Sequence, residues 1–393
     1  MRERKQTIIN SLEIEAIAVR QAGEKMKVSE LDTPSLLIDR EIMMDNIHFM
    51  QSHADKYGVS LRPHTKTHKM PKLAKLQEES GAKGIAVAKV GEAETMARNG
   101  LTDIFIANEI VGEEKLLRIR ELAQSIVVCF GIDSIPQTEM IEKSFNGAEK
   151  KAQVLIEIEV GEERSGIIEE SDFIDLVNYL KKCNNLNLKG IFSHDGHSYA
   201  AKSTEDCKKV YIESQKRTLL FAEIANELGC HLETVSIGST PSLMHDFGVM
   251  EGITELRPGT YILMDAAQGN AIGTYDRCAA TVLTTVISRP TGERVVTDVG
   301  AKGITAQTRS KGICATKGLG YIKGYDEVYI DHVYDEHAII YHEKFRNEVS
   351  IGDKVQIIPN HICPVCNLYD KAYLVSHGEV VEEIPIECRG KLQ

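Results

Sequence analysis

From Val59 to Leu256, short apolar runs rich in β-branched residues alternate with helical stretches, and this alternation constrains the fold more than any other feature. The strand-like runs are 59–66, 84–90, 103–110, 125–131, 153–160, 188–194, 234–238 and 253–256. Helical patterns between them include 72–79, 92–99, 113–123, 172–182 and 205–228. Strands that are apolar throughout are those of a parallel sheet covered on both faces. Eight of them, with helical stretches between most, predict a (β/α)8 barrel. A doubly wound open sheet is the rival. No Gly-x-Gly-x-x-Gly turn follows the first strand, which weakens its dinucleotide-binding version.

After Gln268 the helical periodicity almost vanishes. Short runs at 279–288, 294–298, 327–333, 338–341, 354–359 and 371–375, broken by Gly, Asp and Asn, predict a β-rich domain over 269–393. The barrel domain is expected over 31–268, beginning with Ser35–Asp39 and a helix running towards Tyr57. Residues 1–30 read as an amphipathic helical leader. With 393 residues the chain has room for one large domain and a smaller one.

A formal charge of −12 argues against a nucleic-acid surface. No apolar run is long enough to span a membrane. The basic opening from Met1 to Lys5 is followed by no apolar region, so it reads as neither a signal nor a transit peptide. The nine cysteines are odd in number and scattered, which favours reduced thiols in a cytoplasm over a disulfide framework.

A barrel gathers its functional groups at the C-terminal ends of its strands. Those ends carry Lys66, Glu109, Arg164, the cluster of His194, Asp195, His197 and Tyr199, then Gly238-Ser239-Thr240, and Arg257 to Tyr261. Lys66, leaving a buried strand at the barrel mouth, is a candidate Schiff-base amine. Gly238-Ser239-Thr240 offers backbone N–H groups and hydroxyls after the seventh strand, where this fold favours phosphate. Each has a plainer reading when taken alone. Lys66 would be a solvated loop lysine, Arg164 a surface ion-pair partner, His194 and His197 hydrogen-bonded loop residues, and Gly-Ser-Thr-Pro a turn. The functional reading rests on their co-location.

Near the other end, His361 and Cys363 are two metal-type ligands two residues apart, a spacing that on an extended strand points both to one side. Cys363-Pro-Val-Cys366 offers two rivals, half a zinc knuckle or a redox CxxC. No second CxxC completes a knuckle, and the βαβ context of a redox motif is missing. Few protein ligands leave open positions for water or substrate, as catalysis at a metal requires.

On these motifs the chain resembles the fold-type III pyridoxal-phosphate enzymes of the D-serine dehydratase and D-threonine aldolase group, relatives of alanine racemase. The resemblance runs from about Leu31 onward. It is carried by Leu31-Asp-Thr-Pro-Ser-Leu-Leu-Ile-Asp39, Arg62-Pro-His-Thr-Lys-Thr-His-Lys69, Gly91-Glu-Ala-Glu94, the segment 157–166, Gly238-Ser-Thr-Pro241, Arg257-Pro-Gly-Thr-Tyr261 and Pro359-Asn-His-Ile-Cys-Pro364. It implies that Lys66, not Lys69, links to pyridoxal 5'-phosphate. It implies phosphate binding by Gly238, Ser239 and Thr240 with help from Tyr261, Arg164 near the cofactor ring or its O3′, and Tyr199 near the substrate. His361 and Cys363 match the divalent-metal ligands, with Zn2+ expected and Mn2+ or another divalent ion as alternatives. A head-to-tail homodimer is also implied.

The implied activity is a lyase acting on D-3-hydroxy amino acids. His-x-Cys resembles the dehydratases, which give a 2-oxo acid and ammonia, more than the His-x-Asp of the aldolases. Retro-aldol cleavage of the D-threonine aldolase type is the alternative. An amino-acid racemase would need a second acid/base and no metal. A non-catalytic pyridoxal-phosphate-binding protein would need neither the metal nor a second domain. Two departures from the family pattern are Glu159 where Asp is usual, and Tyr334-Asp-Glu-His-Ala338 where Glu-His-Gly is common.

Overall fold

The computed structural model describes residues 26–393. The expected leader lies outside that span except for residues 26–30. There the 3-10 turn Val28–Glu30 lies against the second sheet, the Val28 N–H donating to Gly378 O at 3.0 Å.

Eight parallel strands form one sheet: Ser60–Leu61, Ile85–Val87, Asp103–Glu109, Val127–Ile132, Ala152–Ile158, Leu186–Ser193, Thr234–Ile237 and Glu255–Leu256. The first pairs with the last, Ser60 opposite Glu255 and Leu61 opposite Leu256. A bridge between His64 and Ala86 closes the ring, with the Ala86 N–H donating to Pro63 O and the Thr65 N–H to Ala86 O, both at 2.8 Å. This is the (β/α)8 barrel that the alternation predicts. The first strand is much shorter than the expected 59–66. Pro63 has no N–H for a ladder, and the following residues coil into turns that end at Lys69 with φ +60°. Lys66 therefore stands on a turn at the rim and not on a strand.

Phe105, Leu155, Phe192 and Ala86 fill the barrel interior. Arg257 lies over the Phe105 and Phe192 rings, 5.7 and 5.2 Å from their centroids, and donates to Ser236 Oγ and Ser193 O. A buried guanidinium is tolerable only because its N–H groups are satisfied this way.

The second sheet contains Ala280–Ser288, Arg294–Thr297, Ala338–Tyr341, Lys354–Ile358 and Lys371–Ser376, close to the runs read from the sequence, and adds Glu379–Pro385 as a hairpin partner of Lys371–Ser376. Within the expected 327–333 run only His332–Val333 forms a ladder. Ser35–Asp39, read from the sequence as the start of the barrel domain, pairs antiparallel with Ala280–Ser288 and parallel with Lys371–Ser376. The chain thus gives a strand to the second sheet before it enters the barrel. Asp39 then caps the helix Arg40–Lys56, accepting from the Ile42 N–H at 3.0 Å. That helix buries Met43, Ile47, Met50 and Ala54, one stripe at helical spacing. One continuous hydrophobic core holds residues of both sheets. Among the described residues no helix is long and apolar enough to cross a membrane.

Candidate active site

The barrel rim and the segment around residue 361 enclose a cavity of about 490 Å3. Lys66, Arg164, Tyr199, His361 and Cys363 all line it, so residues far apart in sequence meet at one place. Gly238, Ser239 and Thr240 stand one layer behind, where the Thr240 backbone hydrogen-bonds the Tyr199 hydroxyl. Tyr261 does not reach the cavity. The 3-10 turn Thr260–Ile262 points Thr260 inward and Tyr261 away, into full burial, where its hydroxyl accepts from Gln77 Nε2 at 2.7 Å.

Two lysines border the cavity, and their partners distinguish them. Lys69 forms a buried ion pair with Glu92 at 2.7 Å. Lys66 has no ion pair among the described residues. Burial lowers its pKa; the neighbouring Cys363 opposes this, and the Arg164 and Arg257 charges reinforce it. An amine so placed loses its proton more easily, as a Schiff-base nucleophile must. Beside it, His194 Nδ1 lies 2.8 Å from Glu162 Oε2, and Arg164 lies 3.4 Å from Glu162 and 3.5 Å from Glu157. Arg164 is an ion-pair partner, as its plainer reading has it, but in the cavity wall.

His361 and Cys363 do not lie on an extended strand, contrary to the reading from their spacing. Only His361 is extended (φ −144°, ψ 105°); it precedes the short helix Ile362–Cys366, which carries Cys363. The side chains meet nonetheless. Burial works to lower the His361 pKa, but the adjacent Cys363 outweighs it and raises it. Burial works to raise the Cys363 pKa, and His361, together with the Cys363–Thr67 hydrogen bond, brings it down. A thiol biased toward thiolate is ready to ligate. His361 Nδ1 is 3.1 Å from Gln307 Oε1, which orients the ring as metal-bound histidines usually are. No group of three or more His, Cys, Asp and Glu suited to a metal occurs among the described residues. An imidazole and a thiolate fit a soft-tolerant divalent ion whose remaining positions are open. Cys366 faces the hydrophobic core, fully buried, with its thiol pushed well up by desolvation.

The Gly238 turn has φ +149°, and a Cβ there would meet the Arg257 nitrogen at 2.9 Å, so glycine is required. Ser239 Oγ donates to Asp195 Oδ2 at 2.9 Å, and Ser242 Oγ to the same oxygen at 2.6 Å. The Ser239 hydroxyl is therefore engaged, which leaves its backbone N–H as the group for a phosphate. Thr240 Oγ1 is buried without a partner, an orphan that a bound phosphate would satisfy. With Lys66, this fits pyridoxal phosphate.

Several cavity residues were not singled out in the sequence. Glu162 lies within the 157–166 motif, so it had a signal, though no role was attached to it. Thr260, whose Oγ1 lies 3.7 Å from Cys363 Sγ, belongs to the Arg257-Pro-Gly-Thr-Tyr261 motif, which points to no separate role for it. Arg309 lies on a loop of the second domain with no motif at all.

Residues 38–267 match the alanine racemase N-terminal domain, and residues 279–375 match a serine dehydratase domain. The chain belongs to the alanine racemase N-terminal domain family. With the second domain, this is the fold-type III pyridoxal-phosphate family, and the chain is an enzyme of its lyase branch. It is similar to the D-threonine aldolase of Arthrobacter sp. (30% identical, 94% of this chain and 95% of that one). It is also similar to the D-serine dehydratase of Dictyostelium discoideum (26% identical, 90% and 96%). The D-threo-3-hydroxyaspartate dehydratase from Delftia sp. HT23 has the same architecture, with a TM-score of 0.86 at 25% identity over 92% of this chain and 99% of that one.

Proposed function

We propose that this protein is a pyridoxal-phosphate- and metal-dependent lyase of D-3-hydroxy amino acids, acting as a dehydratase that releases a 2-oxo acid and ammonia, with D-serine the simplest substrate. The observation that carries this reading is that the Lys66 amine and the His361–Cys363 pair line the same cavity. Lys66 would bind the cofactor carbon and, once freed, take the Cα proton. Gly238, Ser239 and Thr240 would hold the phosphate, with Tyr199 packed against them, and Arg164 would lie along the ring edge, held by Glu157 and Glu162. His361 and Cys363 would hold the metal. Pyridoxal phosphate supplies an electron sink for Cα, and the metal a Lewis acid for the β-oxygen. The relatives named dehydratase and aldolase support the substrate class.

Elimination is placed first because Cys363 supplies sulfur where the aldolase pattern supplies oxygen. The similarity to the Arthrobacter aldolase favours retro-aldol cleavage as the second reading. Zinc is the proposed metal, since imidazole and thiolate suit it better than magnesium or calcium, with Mn2+ as the alternative. Nine free cysteines support a reducing cytoplasm, and the family's pairing supports a homodimer. Incubating holoenzyme with D-serine and with D-threonine tests the reading. Pyruvate and ammonia from D-serine, exceeding glycine and acetaldehyde from D-threonine, are expected. Dominant glycine release would establish the aldolase instead, and no turnover of any D-3-hydroxy amino acid, D-threo-3-hydroxyaspartate included, would overturn both.

A further inference from the structure

The cations around the cavity differ in how their charge is met. Lys69 has Glu92, and Arg164 has Glu162, whose Oε2 also lies 2.8 Å from the His194 ring. Lys66 is reserved for the cofactor in the reading above. Arg309 is different: its guanidinium makes no hydrogen bond or ion pair among the described residues, and its Nε is buried without a partner. The Arg309 charge acts on Asp265, but that carboxylate already accepts the Gln268 and Ile362 N–H groups at 2.9 and 3.1 Å.

Arg309 is nevertheless held in place. Its guanidinium sits 4.7 Å over the Tyr199 ring. Its N–H donates to Thr316 Oγ1 at 3.1 Å, and its C=O accepts from the Thr316 N–H at 2.8 Å. The same loop is tied to the barrel by the Ile313 N–H donating to Ala201 O at 2.8 Å. Two residues earlier, Gln307 reaches His361. The loop thus sets an uncompensated guanidinium beside the metal pair, on the side where a substrate's Cβ and hydroxyl would lie.

We propose that Arg309 receives a carboxylate carried on the substrate's β-carbon, so that the site is built for 3-hydroxy amino dicarboxylates. The inference rests on the lyase reading, which places Cβ at His361 and Cys363. A planar guanidinium with free N–H groups matches a carboxylate in a bidentate pair, and a partly buried unpaired cation is costly unless the ligand completes it.

The test uses holoenzyme and Arg309→Gln, with two arms. In the first, kcat/KM is measured on D-threo-3-hydroxyaspartate and on D-serine. The variant is expected to lose about 10- to 100-fold on the dicarboxylate, the factor of one charged hydrogen bond, and little on D-serine. Arg309→Lys should restore part of the loss. An equal loss on both substrates would assign Arg309 to the α-carboxylate and overturn the proposal, as would no loss at all. In the second arm, calorimetry compares binding of D-malate and D-lactate, which carry no amine to react. Wild type should prefer malate and Arg309→Gln should not; a preference that survives the substitution, or is missing from wild type, overturns the proposal. Should no 3-hydroxy amino acid turn over while the malate preference depends on Arg309, the lyase reading fails and the carboxylate site stands.

Discussion

At residue 69 the backbone turns through φ +60°, and Lys69 reaches Glu92 at 2.7 Å, leaving Lys66 as the lysine free to react. Borohydride reduction of the holoenzyme followed by peptide mass analysis should therefore find the cofactor on Lys66. An adduct on Lys69 would reverse the assignment. Lys69→Ala should instead act on folding: it strands Glu92 in the interior, a loss of about 3–5 kcal/mol seen as a lower denaturation midpoint. A second buried acid makes a pH prediction. Burial, and then the hydrogen bond with Glu157, push the Glu109 carboxyl up to about 9 from its ordinary 4.5. Between those values the folded protein keeps a proton that the unfolded chain releases. Its contribution to stability is complete below the lower value and lost as pH rises through the upper one. Glu109→Gln, which cannot ionise, should flatten the fall in Tm between about pH 5 and about pH 9. An unchanged slope would show that Glu109 is charged in the folded state.

At the scale of the element, the short helix Ile362–Cys366 separates Cys363, the ligand expected from His-x-Cys, from Cys366. Cys363 turns to His361 and Thr67, while Cys366 faces the core. Cys363→Ala should remove the bound metal and abolish elimination, with the visible absorbance of the bound cofactor retained. Cys366→Ala should keep the metal and lower stability by the cost of a small core cavity, about 1–2 kcal/mol. Metal analysis and thermal melts on both variants check this, and metal loss only in Cys366→Ala would exchange the roles. The strand reading of 361–363 failed because a two-residue spacing brings side chains to one side of a strand, while here the chain leaves extended conformation at Ile362. The donors converge because one is before the helix and the other within it. At the loop Gly238-Ser239-Thr240 the motif was readable, but its division of labour was not. Asp195 occupies the Ser239 hydroxyl and comes from a different strand end.

At the scale of the molecule, the cavity is built from both domains, and Arg309 and Leu392 lie on its border. A homodimer is expected by sedimentation at micromolar concentration; a fully active monomer would contradict it. The eight strands, their helices and the change of texture after Gln268 were legible in the residues alone, because burial on both faces of a strand and helical periodicity are local patterns. The sequence also placed Lys66, Arg164, Tyr199, His361 and Cys363 among the candidates, through motifs whose residue types carry their own chemistry. It took the folded chain to assign Ser35–Asp39 to the second sheet, since a five-residue apolar strand pairs equally well with either. The fold alone turned Tyr261 away to Gln77, because one step along a 3-10 turn redirects a side chain. It alone brought Arg309 over Tyr199. That contact joins residues of two domains that lie more than a hundred positions apart in the chain, and long-range packing leaves no periodicity in sequence to read.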